Sequence, residues 1–569
     1  MESRRSNSSF GGSHRDAQSN RSLGVSQRSD GEGSGRGRRR MPKPASSNEQ
    51  TAPATRHPHD VFTWGYGGQG ALGNGAFRDE LTPYLVTGLR EFGGALLVNC
   101  GFDHTVAVTG DLRARAWGRA QEGQLGVEDF DAALESPRGG RCVLQPTVLG
   151  LCAGESRAAV QAVAAGGLHT LLLTMPRSSR DEPMAFAFGR GRDGQLGTGP
   201  EGLSNMSPVA TALDLPTELP PVGVSAGGLH SAALSSHGHV FVWGDNGRGQ
   251  LGLPPPTLSP EEQAAMGSLA LAPPPAVSVP HLLPSAAFEG RAELEARVPI
   301  TVSAADVGGE TFVVRGRRHS PLQVSSISCG QYHTACCTTI GQGFAWGGNA
   351  DGQLGLNDFV DRSSPSLVPL EHESRPIQVA CGGRHTLILG ECGEVWSSGC
   401  NLAGQLGHGE DFGTEPLKKF IEIDSLSDER VVLIACGGAH AAAVCADGTL
   451  YTWGKNHHGQ LGLGHVSSEA NPTKVLAFEE SVAWVACGGS HTSALVRLGR
   501  LDEEEGEALS ERSSEASGSF NAKARDDSFH RAFGYADAPS LQPPTTFRTS
   551  GRSTSRSPGP SRSLGPKSR

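Results

Sequence analysis

The 569-residue chain lacks an unbroken apolar stretch long enough to cross a membrane as a helix. Its longest, near Leu269–Phe288, is interrupted by Pro273, Pro274, Pro275, Pro280 and Pro284, each removing a backbone donor and clashing with the turn before it. The first residues, MESRRSNSSFGGSHRDAQSN, hold no apolar segment of the kind a secretory signal needs. Twelve cysteines are present, but none form the close Cys-x-x-Cys pairs of a zinc site. A general basic excess is also missing: the formal net charge is −10, whereas a nucleic-acid surface wants a basic face. No Ser-His-Asp set, paired carboxylate site or phosphate loop stands out. These absences predict an intracellular protein, cytoplasmic and/or nuclear, with free thiols. They imply no membrane anchor, no metal, no cofactor and no evident small-molecule substrate.

Glycine, at 78 residues, is abundant and regularly placed. The stretch Cys436–Gly462, CGGAHAAAVCADGTLYTWGKNHHGQLG, recurs in variant forms along the chain. One half of the unit carries His104, His169, His230, His333, His385, His440 and His491. The other carries an aromatic before glycine at Trp64, Trp117, Phe188, Trp243, Trp346 and Trp453, with Ser398 in the seventh slot. Each aromatic-Gly runs on at fixed distance to Leu-Gly, preceded by Gln except at Ala71. Such self-similarity marks a repeat architecture. The slot before the paired glycines holds Cys100, Cys329, Cys381, Cys436 and Cys487 but Ala165 and Ala226 elsewhere, so it reads as a small buried residue.

Within a unit, Val431–Cys436, His440–Cys445 and Thr449–Trp453 are short apolar runs, the last two flanking the Asp447-Gly448 hairpin signal. A fourth segment contains proline, as in Pro472–Val475, which suits an outer edge strand. Four short antiparallel strands per period of about 50 residues describe one propeller blade. The fold class is therefore all-β, a seven-bladed β-propeller over residues 58–500. The last unit lacks an aromatic-Gly half and the first lacks a His half, so Val61–Trp64 should complete the last blade and remove an open sheet edge. Residues 253–325 are expected as a long surface insertion, with a helical turn or two at Glu289–Arg297. Tails at 1–57 and 501–569, poor in aromatic and branched residues, are expected to be disordered. The second begins with the acidic run Asp502–Glu507. Residues 1–60 carry eleven Arg/Lys against six Asp/Glu, which leaves the repeat region acidic.

The pairing of Gly-Gly-x-His-Thr with Trp-Gly-x-Asn-x-x-Gly-Gln-Leu-Gly, as in Cys329–Thr334 with Trp346–Gly355, resembles the regulator of chromosome condensation repeat family. The resemblance spans about residues 60–500. Its departures are Ser398 and Phe188 for Trp, Ala71 for Gln and Ala441 for Thr. It implies a seven-bladed propeller. Its founding member is a chromatin-bound exchange factor for the small GTPase Ran, and exchange factors of that type carry an extra hairpin just after one Trp-Gly. Here all seven aromatic-Gly to Leu-Gly spans share one length, which speaks against Ran exchange. The ultraviolet-B photoreceptor branch uses tryptophans at positions filled here by Phe102, Gly167, Gly228, Gln331, Gly383, Gly438 and Gly489, so light sensing is not implied.

The repeat histidines are read as structural, each bonding backbone in a blade turn, and the repeat aromatics as packing between blades. The cluster Arg36, Arg38, Arg39, Arg40 and Lys43 is a candidate nuclear import signal or contact to DNA or an acidic partner. No catalytic residue is assigned. The favoured function is a protein-binding scaffold or regulatory module. Guanine nucleotide exchange on a Ran-like or other small GTPase, which needs no covalent chemistry, is the first alternative. Chromatin association through the basic arm is the second.

Overall fold

One repeat shows why this sequence folds as it does. Between Val431 and Lys474 lie four antiparallel strands, Val431–Cys436, His440–Cys445, Leu450–Gly454 and Glu469–Lys474. The second, HAAAVC, is buried on both sides, and alternation along the strand sends its residues to two different cores. Ala442 and Val444 join one apolar cluster, while Ala441, Ala443 and Cys445 join another. The Asp447-Gly448 turn is tight, with Gly448 at φ 86° and the Thr449 N–H held by Asp447 Oδ1 at 2.9 Å. The outer strand, EANPTK, is largely half-buried and tolerates Pro472 at the sheet edge.

The protein is described from a computed structural model covering residues 59–127, 133–150, 159–175, 183–200, 206–253, 276–288, 323–370 and 375–497. The four-stranded pattern repeats in seven blades. We number them from the one whose inner strand is Ala95–Cys100, ending with a seventh whose inner strand is Val482–Cys487. Each inner strand touches that of the next blade, and the seventh touches the first, so the ring is closed. Seven apolar clusters hold it together, one at each seam between neighbouring blades. The hydrophobic core is thus a ring of inter-blade interfaces.

Closure follows the sequence expectation. His59–Gly65 pairs antiparallel with His491–Arg497 in continuous register, from His59↔Arg497 to Gly65↔His491. The N-terminal strand thereby becomes the third strand of the blade that the C-terminal residues begin. Its outer face is covered by Glu80–Leu85.

Two places depart from the simple repeat. Within 253–325, Ala276–Leu282 is the outer strand of blade 3, and Val324 already opens the inner strand of blade 4. Phe288 follows in a short 3-10 turn and is buried against Phe344 and Trp346. The stretch is therefore not one continuous insertion, because part of it is needed to finish a blade. The Glu289–Arg297 segment lies outside the described residues. In blade 1, Leu134–Glu135 pairs with the start of the outer strand Arg141–Val148, adding a small hairpin that no other blade has among the described residues.

Candidate functional site

The repeat residues build a clamp at every seam. The first glycine after the Cys/Ala slot passes so close to the next blade that a side chain cannot fit. A Cβ on Gly437 would lie 2.3 Å from His440 Cε1 and 2.5 Å from the Gly488 carbonyl. This is close approach and not positive φ, which belongs instead to the glycine after the aromatic, such as Gly454 at 100°. The gap is bridged by backbone: seven inter-blade N–H···O bonds, from Phe102 N to Gly166 O round to Gly489 N to Gly101 O, run at 2.9–3.3 Å.

The sequence suggested that the histidines bond backbone in a blade turn, but six of the seven bond side-chain hydroxyls instead. In six seams Nε2 meets the hydroxyl of the next blade: His104–Thr170, His169–Ser231, His230–Thr334, His333–Thr386, His440–Thr492 and His491–Thr105, all at 2.8–3.0 Å. Each hydroxyl donates its own hydrogen to a carbonyl of the preceding blade, as Thr492 does to Gln460 O at 2.8 Å. That leaves the hydroxyl oxygen as acceptor and assigns the histidine proton to Nε2. The same carbonyl takes the indole N–H of the aromatic-Gly tryptophan, Trp64 to Gln460 O at 2.9 Å. The pattern holds for Trp117, Trp243, Trp346 and Trp453. The glutamine side chain meanwhile folds onto its own loop, for example Gln460 Oε1 accepting from His458 N at 3.0 Å. At Ala71 the carbonyl still receives Thr105 and Trp117, both at 2.8 Å, so the clamp survives there without that loop bond.

Burial holds the histidines neutral. It pushes His104, His169, His230, His333 and His440 down to about 3, and His385 and His491 to about 4. No group of three or more His, Cys, Asp or Glu able to hold a metal occurs among the described residues. The repeat histidines and aromatics are fully buried in the seams. No disulfide links the eleven described cysteines, and all but Cys392 are buried; Cys152 lies outside the described residues.

The clamp holds a rim whose side chains vary. In every blade the residue after aromatic-Gly donates its N–H to the carbonyl of the residue before the histidine, as Arg119 N to Asp103 O at 2.8 Å. This fixed bond displays seven pairs on one face: Tyr66/Ser490, Arg119/Asp103, Arg190/Leu168, Asp245/Leu229, Gly348/Tyr332, Cys400/Arg384 and Lys455/Ala439. The pairs include four cations and two carboxylates, and Arg190 and Arg384 are further ion-paired with Asp193 and Asp351. Sequence reasoning passed over these positions because each is ordinary in its own repeat. Aligning the seven units shows that they vary where their neighbours do not.

The blade 1 hairpin reaches this rim. Ser136 Oγ donates to Gly68 O at 2.8 Å, and the Arg138 guanidinium sits 5.0 Å from the Tyr66 ring centroid. Tyr66 also packs on His458, which bonds Asp79 at 2.8 Å. Asp103 is buried beside Arg119 at 3.6 Å. Burial raises its carboxyl to about 6 against the pull of Arg119 and Arg138. Arg36, Arg38, Arg39, Arg40 and Lys43 lie outside the described residues, as do the tail segments 1–57 and 501–569. No helix of the described residues is long and apolar enough to cross a membrane.

Comparison with known proteins bears on this geometry. A model of the RCC1-like domain matches residues 290–494, and models of the regulator of chromosome condensation (RCC1) repeat match 59–108, 184–234 and 222–250. The ultraviolet-B receptor UVR8 of Arabidopsis thaliana is 29% identical over 407 residues, 70% of this chain and 74% of that protein. RUG3, a mitochondrial RCC1 domain-containing protein of the same plant, is 28% identical, covering 77% and 88%. The probable E3 ubiquitin-protein ligase HERC6 of Homo sapiens is 34% identical over 204 residues, but these make up 20% of that protein. Among solved structures, human WBSCR16 superposes with a TM-score of 0.59 at 22% identity, covering 77% of this chain and 99% of that one. Prp20p of Saccharomyces cerevisiae, studied with its binding to Gsp1p and histones, gives 0.58 at 21% identity, covering 81% and 95%. These likenesses carry the fold.

Proposed function

The chain belongs to the regulator of chromosome condensation repeat family, and from that premise we propose that its propeller is a protein-binding regulatory module whose contact surface is the variable rim. One observation carries this reading: seven equivalent loops are held rigidly by the same bonds while the displayed residues differ from blade to blade. A constant clamp with variable display is what recognition of an asymmetric macromolecular partner requires, because order in the loops is established before binding. Affinity purification with the intact chain and with an Arg119→Glu/Arg190→Glu/Arg384→Glu variant tests it. Partners that survive reversal of all three charges would move the contact surface elsewhere.

Nucleotide exchange on a small GTPase is the second reading, supported by the blade 1 hairpin with Arg138 on the rim. The spans after aromatic-Gly are uniform, but this hairpin, arising after Leu-Gly, projects onto the same face. Release of a fluorescent guanine nucleotide from a panel of small GTPases is the measurement. Acceleration lost on Arg138→Ala would establish it, and no acceleration on any member would remove it. The basic arm supports a third reading, contact with chromatin in the nucleus. Loss of nuclear accumulation on replacing Arg36, Arg38, Arg39 and Arg40 would favour it, and an unchanged cytoplasmic distribution would end it.

A further inference from the structure

The rim side chains shrink between blades 5 and 6. Before the repeat histidine, blades 2, 3 and 4 carry Leu168, Leu229 and Tyr332, whereas blade 6 carries Ala439 after Gly438. After aromatic-Gly, where blades 7, 1 and 2 have Tyr66, Arg119 and Arg190, blade 5 has Cys400, and only Gly348 of blade 4 is smaller. A cleft of about 600 Å3 opens at this seam, within the usual size range of binding sites. Its outer wall is the turn around the short 3-10 segment Glu410–Phe412, tied to the rim loop by Asn401 Nδ2 donating to Gly413 O at 2.6 Å. Asn401 Oδ1 also accepts from Leu406 N at 3.1 Å, and Gln405 Oε1 from Ala403 N at 2.9 Å. The walls are therefore fixed before anything binds.

The lining chemistry is divided. Leu402 is 70% exposed and stands beside the small side chains Ala403 and Ala439. Arg384 and Lys455 line the same cleft. Arg384 is oriented by Asp351 at its Nε, 2.9 Å away, yet is 52% exposed, and Lys455 has no ion-pair partner among the described residues. An aliphatic anchor flanked by two cations, with Glu410 as a carboxylate on the outer wall, is too weakly basic for a nucleic-acid backbone. It matches a peptide that carries an apolar side chain between acidic ones.

We propose that the cleft between blades 5 and 6 receives an extended acidic-aliphatic segment of a partner protein, its apolar side chain on Leu402 and its carboxylates on Arg384 and Lys455. This rests on the binding reading above and gives it a site. The test uses the full chain and two labelled peptides, one alternating Glu with Leu and Val, the other with Lys in place of Glu, followed by fluorescence anisotropy. The acidic peptide should bind saturably and the basic one should not. Leu402→Asp and Lys455→Glu should each weaken binding about tenfold with unchanged melting, while Arg192→Glu, an exposed residue in the blade 2 loop after the strand Ala185–Arg190, changes nothing. Equal binding of both peptides, or full binding by Leu402→Asp, overturns the assignment. If purified partners are kept by the Leu402→Asp/Lys455→Glu chain but lost with Tyr66→Ala/Arg138→Glu, the binding reading stands and this cleft is not its site.

Discussion

His385 reaches no hydroxyl in blade 6, because Ala441 stands where the other six seams carry threonine or serine. Its ring lies against the His440 backbone without a hydrogen bond of normal geometry, and both ring nitrogens are buried and unpartnered. A buried polar atom left unpaired costs about 1–3 kcal/mol. Ala441→Ser, which copies the arrangement of Ser231 in blade 3, should therefore stabilise the protein by about 1 kcal/mol. Denaturant unfolding of the two chains measures this. A loss of stability would mean that blade 6 has closed over the space the hydroxyl needs.

Acid should unfold the protein through its histidines. A histidine whose folded pKa lies at about 3 or 4 binds no proton in the fold where the unfolded chain, near 6.5, does. The sign is fixed: stability is full above about 6.5 and falls as pH drops, each such group removing up to about 1.4 kcal/mol per pH unit. Asp103, raised to about 6, works the other way, because the fold holds its proton and gains as pH falls through that value. Unfolding at pH 5 should thus take up about six protons from these eight groups together. Denaturant midpoints that do not move between pH 7 and pH 5 would contradict the burial of the seven rings.

Removing the N-terminal strand should abolish folding of the ring. Deletion of His59–Gly65 takes away the third strand of blade 7, exposes the strand His491–Arg497 and vacates the site of Trp64, which is fully buried. Such an open edge invites association, so aggregation on size-exclusion chromatography is the expected result. Trp64→Phe is the milder counterpart. It keeps part of the packing, loses the bond to Gln460 O and the indole ring that packs on Gly462, and should cost about 1–3 kcal/mol. Phe188 in blade 2 shows that the ring tolerates this state.

The missing blade 5 tryptophan is replaced by a residue from another strand. A Cβ on Gly355 would meet the ring of Phe420 at 2.2 Å, just as one on Gly407 would meet Trp453. Phe420 lies on the outer strand Leu417–Glu422, and with Trp396 it fills the seam between blades 4 and 5. Ser398 itself bonds Gly352 O and Leu417 O at 2.7 and 3.0 Å. Phe420→Ala should cost about 3–5 kcal/mol, and thermal unfolding should report it. An effect under about 1 kcal/mol would show that Trp396 alone carries the seam.

Much of this was readable in advance for a physical reason. Strand, turn and period are local properties, so the apolar runs around Asp447-Gly448 and the fixed spacing of His440 to Trp453 expose the blade directly. Closure was readable too, because half a unit at each end can be completed only by the other. The partner of each histidine was not readable. His104 meets Thr170 across 66 residues, and nothing near His104 in sequence announces a hydroxyl in the next blade. The cleft at Leu402 was hidden for a related reason: it arises from small residues on two blades, and neither Cys400 nor Ala439 is distinctive in its own repeat.

By itself the sequence determined the repeat, the number of blades, the clasp and the buried status of Cys436 and its equivalents, since each depends on periodicity and residue size. Tertiary structure alone decided how the repeat residues are placed. Packing seven copies side by side turns their constant residues inward as clamps, such as the Thr492 and Trp64 bonds to Gln460 O. It gathers their variable residues, from Tyr66 to Lys455, onto one rim. Distances between residues hundreds of positions apart create that surface, and only the closed ring sets them.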